Sequence, residues 1–299
     1  MKTYELYQVD SFTGEKLKGN PAGVVTDADG LSAGQMQAIA RELNNSETAF
    51  ILSPSAPDHH VRVRFFTPTA EVPSCGHATI AAHFVRAVVN QLPSCTVLQK
   101  IGIGTLPVEV VRGDDGVRVV MTQGAIEFSD PFSDPDRQDI VEGLGLTEGE
   151  LDERCPIQIV STGHSKVLIG IRSRETLNAL TPDLSRLTKI SHRIGCNGYF
   201  VFALEPESDV LSHGRMFAPA IGIAEDPVTG NANGPLGAYL VEHQLVVPDE
   251  SPFSFKAQQG EAVGRPGIVE VSVDHQKGRP MAVRVGGQAV IVFKAQLEL

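Results

Sequence analysis

Arg64-Phe65-Phe66-Thr67-Pro68, followed by Glu71-Val72-Pro73-Ser74-Cys75-Gly76-His77-Ala78, has a second version later in the chain. There Arg215-Met216-Phe217-Ala218-Pro219 is followed by Glu225-Asp226-Pro227-Val228-Thr229-Gly230-Asn231-Ala232. Both fit R-x-F-x-P, a short spacer, then E-x-P-x-[C/T]-G-[H/N]-A. The offset is 151 residues at the arginines and 154 at the glutamates, so the second copy carries a three-residue insertion. An offset near half of the 299-residue chain points to duplication of a whole domain.

The flanks of the two copies agree. Residues 20–25 (NPAGVV) read as a turn and short strand, followed by a helical pattern at 32–44 and a strand at 48–52. In the second half, 164–171 reads as a strand, 183–193 as a helix and 199–204 as a strand. Runs such as VRVRFF, VRVVM, VEVSV and AVIVF supply further strands. The Asp- and Pro-rich stretch GAIEFSDPFSDPDRQD (124–139) is the boundary candidate. This places an N-terminal half at 1–123 and a C-terminal half at 124–287, with the last strand (288–299) returning to complete the first half.

After each copy comes a segment that is apolar on nearly every face: 78–89 (ATIAAHFVRAVV) and 234–241 (GPLGAYLV). Such a helix is buried all round. Pro235 fits only in a first helical turn, where its missing N–H costs nothing. A buried helix among many short strands implies an α+β fold, each half a barrel-like mixed sheet around a central helix. The motif residues then stand at two helix starts. Gly76 and Gly230 let a ligand approach the backbone, and the free N–H groups there favour a carboxylate or phosphate.

The bulk numbers narrow the function. With 41% hydrophobic and 20% charged residues the chain is globular, and a net charge of −11 disfavours nucleic acid or an anionic membrane as partner. No run approaches the roughly eighteen apolar residues of a membrane span, and no secretory signal is expected from MKTYELYQVDSF. Four widely spaced cysteines (Cys75, Cys95, Cys155, Cys196) without C-x-x-C spacing suit a reduced, cytoplasmic enzyme. There is no phosphate loop, and Gly102-x-Gly104 lacks the remainder of a dinucleotide fingerprint. Histidines are scattered, so no metal and no cofactor is expected.

Among the acidic residues Glu47 stands between a helix and an apolar strand in Asn44-Asn45-Ser46-Glu47-Thr48-Ala49-Phe50, a setting that partly desolvates a carboxylate and suits proton transfer, although by itself it equally describes an ordinary surface-loop glutamate. Glu71 and Glu225 read as structural partners of the turns. Asp226 faces Val72 of the other copy, and His77 faces Asn231, so the two halves have specialised. Cys75 occupies a helix start, which favours a thiolate; His164 is a weaker candidate, read first as structural.

Taken together, GNPAGVV, NSETAF, FFTP-x-x-E-x-P-x-CGHAT and EDPVTGNA resemble the phenazine-biosynthesis PhzF-like isomerases, and within them the YddE-type members. The resemblance runs over essentially the whole chain. It implies a diaminopimelate-epimerase-like fold of two pseudo-symmetric halves with the active site between them, and a homodimer. It also implies a cofactor-independent isomerase of a small carboxylated metabolite, with one-base proton transfer by Glu47. His77 and Asp226 would complete the catalytic set, with Ser46, Cys75, Gly76, Thr229, Gly230 and Asn231 binding substrate. The epimerase relatives use a cysteine from each half; here the second position is Thr229, whose hydroxyl is far too weak an acid to replace a thiol. Two alternatives stand beside this reading: a racemase or epimerase built on Cys75, in which Cys75→Ala is inactivating, and a non-catalytic metabolite-binding protein.

Overall fold

Two runs of short strands, each interrupted by one apolar helix, make up the chain. The computed structural model describes residues 2–246 and 250–299. Two units emerge: one runs to Thr122 and takes up Gly286–Leu299, and the other is Gln123–Val285. Among the described residues no helix is long and apolar enough to cross a membrane.

The first unit contains β1 (Thr3–Ser11), β2 (Asn20–Val25), α1 (Ala33–Leu43), β3 (Thr48–Leu52), β4 (Val61–Phe66), β5 (Glu71–Val72), α2 (Gly76–Val89), β6 (Cys95–Ile101), β7 (Gly104–Gly113) and β8 (Gly116–Thr122). It closes on residues 286–298 of the last strand, β17 (Arg279–Glu298). β1 pairs antiparallel with β2, β2 parallel with β3, β3 antiparallel with β4, and β4 parallel with β6. β6, β7 and β8 follow as antiparallel neighbours, and β17 joins β8 to β1, closing an eight-stranded mixed barrel.

Period-2 patterning explains which side chains enter. In β4, Val61, Val63 and Phe65 are buried, while Arg62 and Arg64 point outward. All five residues of β3 are buried because α1 covers its outer side: Phe50, Leu52 and Phe66 pack with Met36, Ile39 and Ala40. Ser32 starts α1 with a capping box, its hydroxyl accepting from Gln35 N–H at 3.2 Å while Gln35 Oε1 accepts from Ser32 N–H at 2.9 Å.

α2 threads the barrel and touches β1, β2, β3, β7 and β8. Its residues from His77 to His83 are all buried, as an all-round apolar helix requires. The last turn departs from that expectation: Val88 and Val89 are 40% and 45% exposed. There the helix outruns the barrel, and Arg112 takes over, donating to Ala87 O at 3.2 Å and Leu92 O at 3.1 Å.

The second unit repeats the plan. β9 (Glu127–Phe128) and α3 (Asp136–Gly143) precede β10 (Gln158–Ser161) and β11 (Ser165–Ile171). α4 (Arg174–Ala179) and α5 (Leu184–Ile194) lead to β12 (Tyr199–Leu204), β13 (Ser212–Ala218) and β14 (Ile223–Asp226). α6 (Gly230–Glu242), β15 (Phe253–Gln259) and β16 (Gly267–Gln276) follow. The pairing senses match the first unit step for step: β10–β11 antiparallel, β11–β12 parallel, β12–β13 antiparallel, β13–β15 parallel and β15–β16 antiparallel. α6 packs on β10, β11 and β16, and Leu236, Tyr239 and Leu240 anchor a core with Phe200, Phe202 and Met216.

Pro235 lies further into α6 than the first-turn expectation allows when the helix is counted from Gly230. The backbone resolves this. A proline ring clashes with the carbonyl four residues earlier, which is that of Asn231, and Asn231 leaves helical geometry at φ −80°, ψ 15°. Regular helix begins after that break, so Pro235 stands in its first regular turn.

Candidate active site

In both copies of the repeat, the arginine and glutamate are partners. Arg64 grips Glu71 through two bonds of 2.7 Å, tying β4 to β5. Arg215 grips Glu225 at 2.9 and 2.7 Å, tying β13 to β14. Each guanidinium also lies over the phenylalanine two residues on, at 5.1 Å for Phe66 and 5.0 Å for Phe217. The bonds from Arg64 hold the Glu71 carboxyl below its ordinary value. These forks fix the strand ends from which the chain turns into α2 and α6.

In the first unit, five of the sequence candidates converge at the start of α2. Cys75 is the N-cap residue, in extended geometry and without a side-chain cap bond. His77 Nε2 lies 3.3 Å from Glu47 Oε2 and 3.2 Å from Ser46 Oγ. On the other edge of the ring, Nδ1 lies 3.5 Å from Cys75 Sγ. Imidazole thus stands between a thiol and a carboxylate, and both acid–base side chains are largely withdrawn from water, at 10% exposure for His77 and 17% for Glu47. Gly76 leaves the helix start bare: a Cβ there would meet only Met121 Cε, at 3.7 Å.

The chain brings Glu47 to this point by ending α1 abruptly. Asn44 takes the left-handed conformation at φ 52° and caps the helix, and Asn45 then exchanges two 2.9 Å hydrogen bonds with Gln8 of β1. Gly23 N–H donates to Glu47 O at 3.2 Å, so the residue is held just before β3 begins. His77 is anchored through its own carbonyl, which accepts from Ser11 Oγ at 2.8 Å. Sequence reasoning missed Gln8, Asn45 and Ser11, which position the cluster from β1 and the α1–β3 turn.

In the second unit the remaining candidates gather at the start of α6. Thr229, the N-cap residue, donates its hydroxyl to Asp226 Oδ2. Gln259 of β15, buried at 1% exposure, reads this turn completely. Its Oε1 accepts from Thr229 N–H at 3.0 Å and Asn233 Nδ2 at 3.0 Å, while its Nε2 donates to Asp226 O at 2.7 Å and to Thr229 Oγ1 at 3.1 Å. Gln123 Nε2 donates to Gly230 O at 3.1 Å, and Gly234 is required for that approach, since a Cβ would fall 1.8 Å from the Gln123 amide oxygen. The Asn231 side-chain oxygen is buried without a partner. The first N–H groups of α6, those of Gly230 and Asn231, precede any intrahelical acceptor and are available to an anion.

Lys166 is a further residue that the sequence reading passed over. Its stem lies against Gly198, where a Cβ would be 2.4 Å from Lys166 Cδ, and its ammonium donates to Ser165 O at 3.1 Å. Burial pushes the ammonium below its ordinary value, while the Asp226 carboxylate acts in the opposite sense. A lysine within the otherwise apolar strand SKVLIGI was the available signal. His164 lies at the turn before that strand, on the surface.

As a ligand set, Glu47, Cys75 and His77 offer atoms all within 4.8 Å of one another, the one such group of three among the described residues.

A mixed barrel around a buried helix, formed twice, is the diaminopimelate-epimerase and proline-racemase type of α+β fold. A hydroxyproline epimerase from Agrobacterium vitis with bound trans-4-hydroxy-L-proline shares it at a TM-score of 0.65 and 13% identity, over 99% of this chain and 92% of that one. The chain belongs to the phenazine biosynthesis-like protein family, which it matches over residues 9–295. It is 57% identical to an uncharacterized isomerase of Clostridium acetobutylicum over 100% of this chain and 99% of that protein. The uncharacterized isomerase YddE of Escherichia coli K12 is 48% identical over 98% of this chain and 97% of its own length. A trans-2,3-dihydro-3-hydroxyanthranilate isomerase of Pseudomonas aeruginosa is 32% identical, over 93% and 94% respectively. The crystal structure of a Bacillus anthracis phenazine biosynthesis protein of the PhzF family aligns over 100% of both chains at a TM-score of 0.89 and 29% identity. The relatives carry the name isomerase, which supports isomerase chemistry for this chain.

Proposed function

We propose that this protein is an isomerase that moves a proton within a small carboxylated metabolite, using Glu47 as the single base and no cofactor. The observation that carries this reading is the 3.3 Å contact between Glu47 Oε2 and His77 Nε2 at the start of α2, with both groups largely buried. A carboxylate withdrawn from water and lying beside an imidazole is suited to remove a proton from carbon and return it elsewhere on the same face. The free N–H groups of the α2 start lie beside it and stabilise negative charge as it develops on the substrate. His77 carries part of that charge or lends its proton, and Ser46 fixes the ring. In this proposal the α6 start, with Asp226, Thr229, Gly230 and Asn231, is an element for binding an anionic or polar part of a ligand. A one-base reaction is favoured because Thr229 cannot supply the second thiol of a two-base epimerase.

The experiment is a screen by proton NMR in D₂O. The wild-type protein is incubated with trans-2,3-dihydro-3-hydroxyanthranilate and a panel of small amino and aromatic acids. Deuterium entering a carbon position, with a new isomer accumulating, is the expected result. Binding of panel members without exchange at any carbon would support a metabolite-binding protein instead.

A further inference from the structure

The side chains that meet at the start of α2 are also a set of metal ligands of one particular kind. We propose that Glu47, Cys75 and His77 bind one soft divalent transition-metal ion, zinc above all, and that the bound ion holds the enzyme inactive. The binding itself does not depend on the catalytic role given to Glu47; the inactivation rests on it.

Thiolate, imidazole and carboxylate are the three protein ligands zinc accepts, and three of them leave a fourth position for water. Magnesium and calcium call for an all-oxygen set and are poorly served by this one. Taken singly, each edge has the length a zinc site requires. With Zn–S about 2.3 Å and Zn–N about 2.0 Å, a tetrahedral site places sulfur and nitrogen about 3.5 Å apart, and nitrogen and oxygen about 3.3 Å apart. Cys75 Sγ is 3.5 Å from His77 Nδ1, and Glu47 Oε2 is 3.3 Å from His77 Nε2. Those two contacts use different ring nitrogens, so one arm must swing to share a single nitrogen with the other. With one atom taken from each residue, every edge of the set is within 4.8 Å, and closing the longest takes a movement of at most about 1.5 Å, within the reach of a side-chain rotation.

The surroundings are prepared for an ion. The Gln8–Asn45 pair holds the Glu47 turn, and Ser11 holds the His77 carbonyl. The positive end of α2 favours the thiolate that a metal needs. Thiolate and carboxylate together neutralise a dication. On binding, the S–H bond of Cys75 breaks, its proton leaves to solvent and a sulfur–metal bond forms; nothing is oxidised or reduced. Affinity therefore rises with pH. An ion seated there occupies the Glu47 carboxylate and one edge of the imidazole, leaving no base to accept a proton from carbon.

The test titrates reduced, chelator-treated protein with Co²⁺ and follows its absorption. One equivalent of cobalt should raise a near-ultraviolet sulfur-to-cobalt charge-transfer band and the intense visible bands of four-coordinate cobalt, all bleached by one equivalent of Zn²⁺. Cys75→Ser should abolish the charge-transfer band, Cys95→Ser should leave it, and Glu47→Gln should keep it while weakening affinity by at least about tenfold. Absence of the band at saturating cobalt, or its survival in Cys75→Ser, overturns the site. These spectra need no turnover, so they stand or fall apart from the proton-transfer reading. With an exchanging substrate in hand, one equivalent of Zn²⁺ should stop deuterium incorporation and a chelator should restore it. Undiminished exchange in protein whose spectrum reports full occupancy overturns the inactivation.

Discussion

Replacing the repeated arginine by alanine should have very different consequences in the two copies of the motif. Arg215 and Glu225 retain only 8% and 12% side-chain exposure, and Arg215 Nη1 also donates to Leu177 O at 3.0 Å and Leu180 O at 2.9 Å. Arg215→Ala therefore strands a buried carboxylate and two carbonyls at the end of α4. Breaking a buried pair from one side costs about 3–5 kcal/mol. Arg64 and Glu71 make an equally good fork, but at 27% and 44% exposure. Water replaces the missing partner there, and Arg64→Ala should cost about 1 kcal/mol or less. Thermal unfolding followed by circular dichroism should show the contrast: a midpoint lowered by roughly 6–20 °C for Arg215→Ala against a few degrees at most for Arg64→Ala. Arg215→Ala/Glu225→Ala should recover part of the loss, because the stranded charge is gone. Equal midpoints for the two single variants would refute the reasoning, since they would show that burial does not set the worth of these forks.

His83 provides a pH test. It is fully buried on α2, its Nε2 3.0 Å from Gln99 Oε1, and burial lowers its pKa from 6.5 to about 4. Folding thus holds it neutral, so stability is complete above pH 6.5 and is lost as pH falls towards 4. At about 1.4 kcal/mol per unit the loss approaches 3 kcal/mol, and His83→Gln should remove that share from urea-unfolding free energies measured across the window. Gln259→Leu should leave the Thr229 N–H buried without its acceptor and destabilise by about 1–3 kcal/mol. It should also loosen the α6 start, seen as faster amide exchange at residues 229–233.

The repeat shows why much of this fold is legible in one sequence. Strands such as VRVRFF and TAFIL declare themselves by alternation or continuous apolarity, and β3 and β12 fall at the residues that pattern assigns. Both central helices are visible because almost none of their residues tolerates water. The candidate site is legible at Cys75 and His77 through the repeated motif, and at Ser46 and Glu47 through the family resemblance, since by context alone Glu47 is one loop glutamate among several. The residues that hold it are not. Gln8 meets Asn45 across 37 positions, and Gln259 meets Thr229 across 30. An amide that satisfies a distant turn leaves no periodic trace, and only the closed barrel brings the partners together. Likewise the break at Asn231 follows from Pro235, but only once the start of the helix is known. The exposed last turn of α2 reflects barrel height, which no local pattern encodes.

The proposed proton transfer depends most on Glu47. With any acid that the wild-type protein labels in D₂O, the initial rate of deuterium incorporation should be compared between wild type and Glu47→Gln, with unfolding midpoints taken on both. If Glu47 is the base, Glu47→Gln loses about 10²–10⁴-fold or more of this rate at a midpoint close to that of wild type. Exchange in the folded variant at an undiminished rate would contradict it.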